Sequence, residues 1–136
     1  MTEIKEAIKK KVKAVNKKKP VNVVAGRAYV TATFNNTLIT FTDSVGNALA
    51  SGSSGMSGFK GSRKSTPFAA TTAMESVARK MWDQGMKEVE VYIKGPGVGR
   101  DAALRVLKTV GFIIKQIADV TPIPHNGPRA KKKRRV

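Results

Sequence analysis

Positive charge is concentrated at the two ends of this chain, which limits the residues that can form a core. Of 136 residues, 26 are Lys or Arg and 9 are Asp or Glu, so the net charge is +17. Residues 1–19 and residues 125–136 carry +6 each. Segments of like charge with little apolar surface do not pack. The sequence therefore predicts a basic flexible N-terminal arm over 1–20, one folded domain over 21–119, and an extended basic tail over 120–136.

Three β-strands are predicted at the start of the folded domain. Apolar residues alternate with polar or aromatic ones from Ala28 to Phe34, and a second β-rich run follows Asn35 and Asn36. The Asn pair indicates a hairpin, because asparagine tolerates the positive φ of a tight turn. A second turn signal precedes a short third strand that begins at Ala48.

Two helices and two further strands are predicted in the rest of the domain. Thr66 is a favoured N-cap and Pro67 a favoured first helical residue, and apolar residues recur at helical spacing after them. A fourth strand and a glycine-rich turn lead to a second helix that ends at Gly111, and a fifth strand follows. The order β-β-β-α-β-α-β predicts a three-layer α/β fold with a mixed five-stranded sheet and two main helices.

Residue types that carry catalysis are scarce in this chain. It has no cysteine, and His125 is its only histidine. Thiol catalysis, disulfides and cysteine-ligated metals are therefore excluded, and a histidine-rich metal site cannot form. No apolar run approaches the ~18 residues of a membrane span, and the first residues lack the apolar segment of a secretory signal. We expect no catalytic residue, no cofactor, no metal and no membrane partner.

A cationic segment lies directly ahead of the first predicted helix. Lys60, Arg63 and Lys64 alternate there with small hydroxyl residues. Backbone N–H groups, the helix dipole and three cations would meet at one place, which is how proteins hold phosphate. The alternative is a flexible surface loop whose cations are only solvated.

The second glycine-rich segment has two interpretations. Gly97, Gly99 and Ala102 satisfy the G-x-G-x-x-[GA] pattern, and Asp119 follows about twenty residues later, as in NAD(P)-dependent enzymes. Three features argue against such an enzyme: the segment belongs to the last βαβ unit, no second nucleotide-binding half follows, and a proline fills the turn. The turn would still accept a phosphate from any source, because Arg100 stands at its mouth.

Four motifs in matching order resemble the family of the eleventh protein of the small ribosomal subunit. The resemblance runs from about residue 21 to the end and is closer to the bacterial form, because the basic end is short. The motifs are Ala32–Thr37, Gly58–Gly61 with Thr66–Ala70, Lys94–Arg100, and Asp119–Gly127 with the terminal Lys132–Val136. Two departures stand out: Ser51 lies where the family commonly has a tryptophan, and Pro128 follows Gly127 where the family tends to have a cysteine.

The resemblance implies a ribonuclease-H-like fold without its catalytic carboxylates. It implies a cytoplasmic structural protein on the platform of the small subunit that bridges several helices of 16S-type rRNA. It also implies a place in the cleft that holds the Shine–Dalgarno duplex. The implied neighbours are the seventh and eighteenth small-subunit proteins, with initiation factor three and mRNA nearby, and no homo-oligomer is expected. A free-standing nucleic-acid chaperone is the second alternative, beside the enzyme.

Cations, turn glycines and exposed amides make up the predicted RNA-binding surface. Phosphate contacts of this kind position a protein on RNA without reading its sequence. The predicted residues are Asn35, Asn36, Lys60, Arg63, Lys64, Gly97, Gly99, Arg100, His125, Asn126, Arg129, Lys131, Lys132, Lys133, Arg134 and Arg135. Asn126 is also a predicted site of isoaspartate formation, since the glycine that follows it leaves ring closure unhindered.

Overall fold

Five strands and two long helices follow one another in the predicted order. The computed structural model describes residues 2–4 and 22–134, and residues 2–4 are helical. The strands are β1 (Ala25–Ala32), β2 (Thr37–Asp43), β3 (Ala48–Ser53), β4 (Glu88–Lys94) and β5 (Ile113–Asp119). The helices are α1 (Pro67–Asp83) and α2 (Gly99–Val110), and a short 3₁₀ helix spans Gly61–Ser65. Most of the predicted arm over 1–20 lies outside the described residues.

The first hairpin is confirmed, but its turn differs from the prediction. Thr33 Oγ1 accepts hydrogen bonds from the backbone N–H groups of Asn35 (3.3 Å) and Asn36 (3.0 Å). Among the described non-glycine residues, only Asn126 has a positive φ, so the positive φ predicted for the Asn pair is wrong. The connection from β1 to β2 has four residues instead of two. Its closure by a threonine hydroxyl removes the need for left-handed backbone.

The strand order in the sheet is β3-β2-β1-β4-β5. β1 pairs antiparallel with β2 and parallel with β4, and β4 pairs parallel with β5. The predicted mixed five-stranded sheet is therefore confirmed. Because β2 alone runs opposite to the other four, the carboxyl ends of β1, β3, β4 and β5 lie at the same edge.

α1 begins and α2 ends where the sequence predicts. Thr66 caps α1 by accepting a hydrogen bond from the backbone N–H of Ala69 at 3.3 Å, and Pro67 is its first residue. α2 ends at Gly111, whose φ of +107° is open to glycine at little cost. Alanine, valine and methionine form the buried face of α1: Ala69, Ala70, Ala73, Met74, Val77, Ala78 and Met81. No helix in the described ranges is long and apolar enough to cross a membrane.

Within residues 22–134, both helices pack on one face of the sheet. One core cluster contains the apolar face of the sheet together with the inner faces of α1 and α2. The other face of the sheet carries the stacked rings of Tyr29 and Tyr92, 5.2 Å apart, and no helix within residues 22–134 packs on it. The physical reason is the direction of the crossovers. Both β3-α1-β4 and β4-α2-β5 advance the same way across the sheet, and right-handed crossovers then lie on one face.

Candidate nucleic-acid interface

Three connections meet at the carboxyl edge of the sheet, and we call this surface the loop end. It comprises residues 33–36, 54–66 and 95–98. The backbone N–H of Gly97 donates a 2.8 Å hydrogen bond to the carbonyl oxygen of Ala32. A Cβ at Gly97 would lie 2.5 Å from the carbonyl oxygen of Thr33. The glycine-rich turn is thus packed against the hairpin backbone, which explains the glycine without a ligand.

The hairpin tip and the cationic segment also lie side by side. A Cβ at Gly55 would lie 3.4 Å from Lys64 Cδ and 3.9 Å from Asn36 Nδ2. Gly55 therefore separates an amide and a cation that the sequence placed in different motifs. The structure brings these two predicted residues to one surface.

The N-termini of the two helices adjoin at the loop end. A Cβ at Gly99, the first residue of α2, would lie 2.9 Å from the Cβ of Ala70 in the first turns of α1 and would also meet Thr37 Oγ1. The partial positive ends of two helix dipoles therefore face the same region. The first turn of α1 contains no acidic residue, although Asp101 lies in the first turn of α2.

The cationic segment is a structured element. The Oγ of Ser65 donates to the carbonyl of Ser62, and the Oγ1 of Thr66 donates to the carbonyl of Arg63, both at 2.8 Å. The hydroxyl residues hold the 3₁₀ helix, and the cations are left for solvent or a ligand. Lys60 and Arg63 are exposed, and Lys64 is half-buried. None of the three belongs to an ion pair in the described part of the chain.

Sequence reasoning missed the aromatic side chains of the loop end. Phe34 in the hairpin connection is 74% exposed, and Phe68 in the first turn of α1 is 71% exposed. Phe59 packs edge-on against Phe68, with ring centroids 5.8 Å apart. Exposed rings among cations are typical of surfaces that stack nucleic-acid bases. The signal available in the sequence was Phe59 directly before Lys60, with Phe68 directly after the helix start.

Arg100 does not stand open at the mouth of the glycine turn. Its Nη2 donates to Asp119 Oδ2 at 2.6 Å, and its Nη1 donates to the carbonyl of Gly95 at 3.0 Å. Asp119 Oδ1 accepts from the Oγ1 and the backbone N–H of Thr121. The Thr121 hydroxyl and the Arg100 guanidinium lower the pKa of Asp119 to about 2. The Asp119 carboxylate, which a dinucleotide would need, is therefore already bound by Arg100 and Thr121.

The predicted tail leaves the domain directly after this network. The backbone N–H of Val120 donates to the carbonyl of Ile93 at 2.8 Å, and residues 120–134 contain no helix or strand. Asn126 has a φ of +58°. The predicted tail residues with described positions are all exposed: His125, Asn126, Arg129, Lys131, Lys132, Lys133 and Arg134. Arg135 lies outside the described residues.

Metal-ligating side chains do not cluster in the described residues: no group of three or more His, Asp or Glu side chains could hold an ion there. The chemistry that the loop end offers is that of cations, backbone N–H groups and aromatic rings. This combination suits a polyanion with unpaired bases.

Comparison with known proteins gives a family. The ribosomal protein S11 family profile matches residues 26–135. The small ribosomal subunit protein uS11 of Desulfovibrio desulfuricans is 57% identical over 124 residues, which cover 91% of this chain and 96% of that protein. The matched region includes the cationic segment, the glycine turn and the tail. The chain therefore belongs to the ribosomal protein S11 family, and it is a structural component of the small ribosomal subunit and not the dinucleotide-dependent enzyme that its glycine pattern also allowed.

Proposed function

We propose that this protein binds small-subunit rRNA with the loop end and the basic tail and so holds several rRNA helices in place on the platform. The observation that carries the proposal is the meeting of Asn36, Lys64 and two helix N-termini at one surface. The cations of that surface are free of ion pairs within the described ranges. Such cations replace the counterions of crowded phosphates, and the rigid domain fixes the relative positions of the RNA segments.

The loop end and the tail would make different kinds of contact with the RNA. The described tail has no helix or strand and is exposed, so its side chains can follow an RNA groove and neutralise successive phosphates. Phe34 and Phe68 would stack on unpaired bases, because rRNA is read mainly where bases are splayed out of helices. The folded domain would thus recognise an RNA junction, and the tail would add affinity.

The family resemblance also suggests which molecules neighbour this protein in the ribosome. We place the protein in the cytoplasmic ribosome beside the seventh and eighteenth small-subunit proteins. The cleft of the Shine–Dalgarno duplex, with mRNA and initiation factor three nearby, would lie next to it. Co-sedimentation of the chain with small subunits in a sucrose gradient tests this placement, and sedimentation with DNA would favour the free-standing chaperone.

Removing the loop-end cations is expected to weaken rRNA binding about tenfold or more and to reduce the slope of log affinity against log salt by about 3. The test variant carries Lys60→Gln, Arg63→Gln and Lys64→Gln. Filter binding to a platform fragment of 16S-type rRNA across a salt series measures both quantities.

A matched control removes the same three charges elsewhere. It carries Lys80→Gln, Arg105→Gln and Lys108→Gln, exposed cations on the two helices beyond their first turns. We expect its salt slope to stay within about 1 of the wild-type value. Equal losses in the two triple variants would show that net charge, and not the loop end, binds the RNA.

Asn126 is expected to form isoaspartate in the free protein and to be protected in the assembled subunit. It is exposed, it lies between Pro124 and Pro128, and the following Gly127 has no side chain to hinder succinimide closure. Peptide mass spectrometry with an isoaspartate-specific methylation assay measures the modification in both states. Equal amounts in both states would contradict clamping of the turn, and its absence from both would contradict the susceptibility.

A further inference from the structure

Besides the backbone hydrogen bond from Val120 to Ile93, the basic tail is attached to the folded domain through one group of side-chain hydrogen bonds. Thr121 Oγ1 donates to Asp119 Oδ1 at 2.6 Å and accepts from the backbone N–H of Gly95 at 3.1 Å. Arg100 binds both Asp119 and the Gly95 carbonyl. Four residues from the β4–α2 turn, α2, β5 and the tail thus close one network, which we call the latch.

After Thr121, the described tail has no polar contact with the domain. Within residues 122–134, no hydrogen bond or ion pair to the domain is formed. The direction in which five described cations leave the domain is therefore set at Thr121: Arg129, Lys131, Lys132, Lys133 and Arg134. A tail whose base is fixed loses less conformational freedom when it binds.

We propose that Arg100, Asp119 and Thr121 are positioning residues that aim the basic tail at the RNA held by the loop end. This inference rests on the proposed function. It assigns Arg100 a role that differs from direct phosphate binding, because its guanidinium is already committed to two oxygens of the protein. It also explains why an acidic residue lies within a surface that otherwise attracts a polyanion.

The direction in which Asp119→Ala changes the affinity for rRNA distinguishes a positioning role from a simple charge effect. If Asp119 only repels phosphate, Asp119→Ala should strengthen rRNA binding. If the latch aims the tail, the same substitution should weaken binding about tenfold, because the tail must then be ordered by the RNA. Asp83→Ala is the matched control: Asp83 is exposed at the end of α1 and forms none of the ion pairs of the described residues. It should bind as the wild type does or slightly more tightly.

A second variant leaves the charge unchanged. Thr121→Val removes the hydroxyl that links Asp119 to Gly95, and we expect binding weaker than that of the wild type. Its control is Thr109→Val, since the Thr109 hydroxyl donates only to the Arg105 carbonyl within α2. Circular dichroism checks that all four variants keep the fold.

Mobility of the tail in the free protein provides a readout that does not depend on RNA. We expect backbone ¹⁵N relaxation of the non-proline residues in 120–127 to report faster motion in Asp119→Ala and Thr121→Val than in the wild type and the two controls. Unchanged motion would overturn the latch. Increased motion with affinity equal to that of the controls would overturn its role in binding. Failure of the wild-type chain to bind rRNA would instead overturn the proposed function, while the relaxation data would still decide whether the latch exists.

Discussion

Binding of this protein to small-subunit rRNA is expected to weaken about 10³- to 10⁵-fold between about 50 and 200 mM salt, the range for about 6 to 10 phosphate contacts. The reason is the release of condensed counterions from each phosphate that a cation neutralises. The loop end and the described tail offer eight predicted cations, which are Lys60, Arg63, Lys64, Arg129, Lys131, Lys132, Lys133 and Arg134. Their number matches that range of contacts.

Filter binding or fluorescence anisotropy with an rRNA platform fragment measures the slope of log affinity against log salt. A variant in which the six Lys and Arg residues of 125–136 become Gln is the informative comparison. Its slope should be smaller by about 5, because each lost phosphate contact removes about 0.9. An affinity that stays flat across the salt range would contradict phosphate binding as the source of affinity.

Val106→Asp is expected to abolish the fold. Val106 lies in the core cluster on the buried side of α2 and is 7% exposed. An unpaired carboxylate there costs several kcal/mol, which is comparable to the about 5–15 kcal/mol that stabilises a typical domain. Thr109→Asp is the control, since Thr109 is exposed on the same helix. Far-UV circular dichroism and thermal melts compare them, and equal melting curves would show that Val106 is not part of the core.

Secondary structure was predictable because its determinants are local. The N-cap Thr66 and the C-terminal Gly111 act within a turn of the helices that they end. Alternation predicted β1 up to its last residue, but it also included Phe34. Phe34 lies beyond the end of β1 and is exposed, since the chain turns at Thr33. Periodicity alone does not show where a strand leaves the sheet.

The remaining features depend on contacts between distant residues. Arg100 and Asp119 are 19 positions apart, and a sequence does not show that one cation is neutralised by the protein while Arg63 is left for a ligand. The face of the sheet on which each helix packs is likewise set by strand order, because that order decides the direction of each crossover. The proximity of Asn36 to Lys64 results from packing around Gly55. The separation of these residues in the sequence does not predict it.

The central place of β1 in the sheet has a consequence for the order in which the chain folds during synthesis. Its antiparallel partner β2 follows after four residues, so the hairpin closes at little entropic cost. Its parallel partner β4 is much further along the chain: Arg27 of β1 pairs with Glu90 of β4, and these two residues are 63 positions apart. Until the ribosome has released β4, the edge of β1 that faces away from β2 has no backbone hydrogen-bonding partner. Nascent chains of this length are therefore the stage at which aggregation competes with folding.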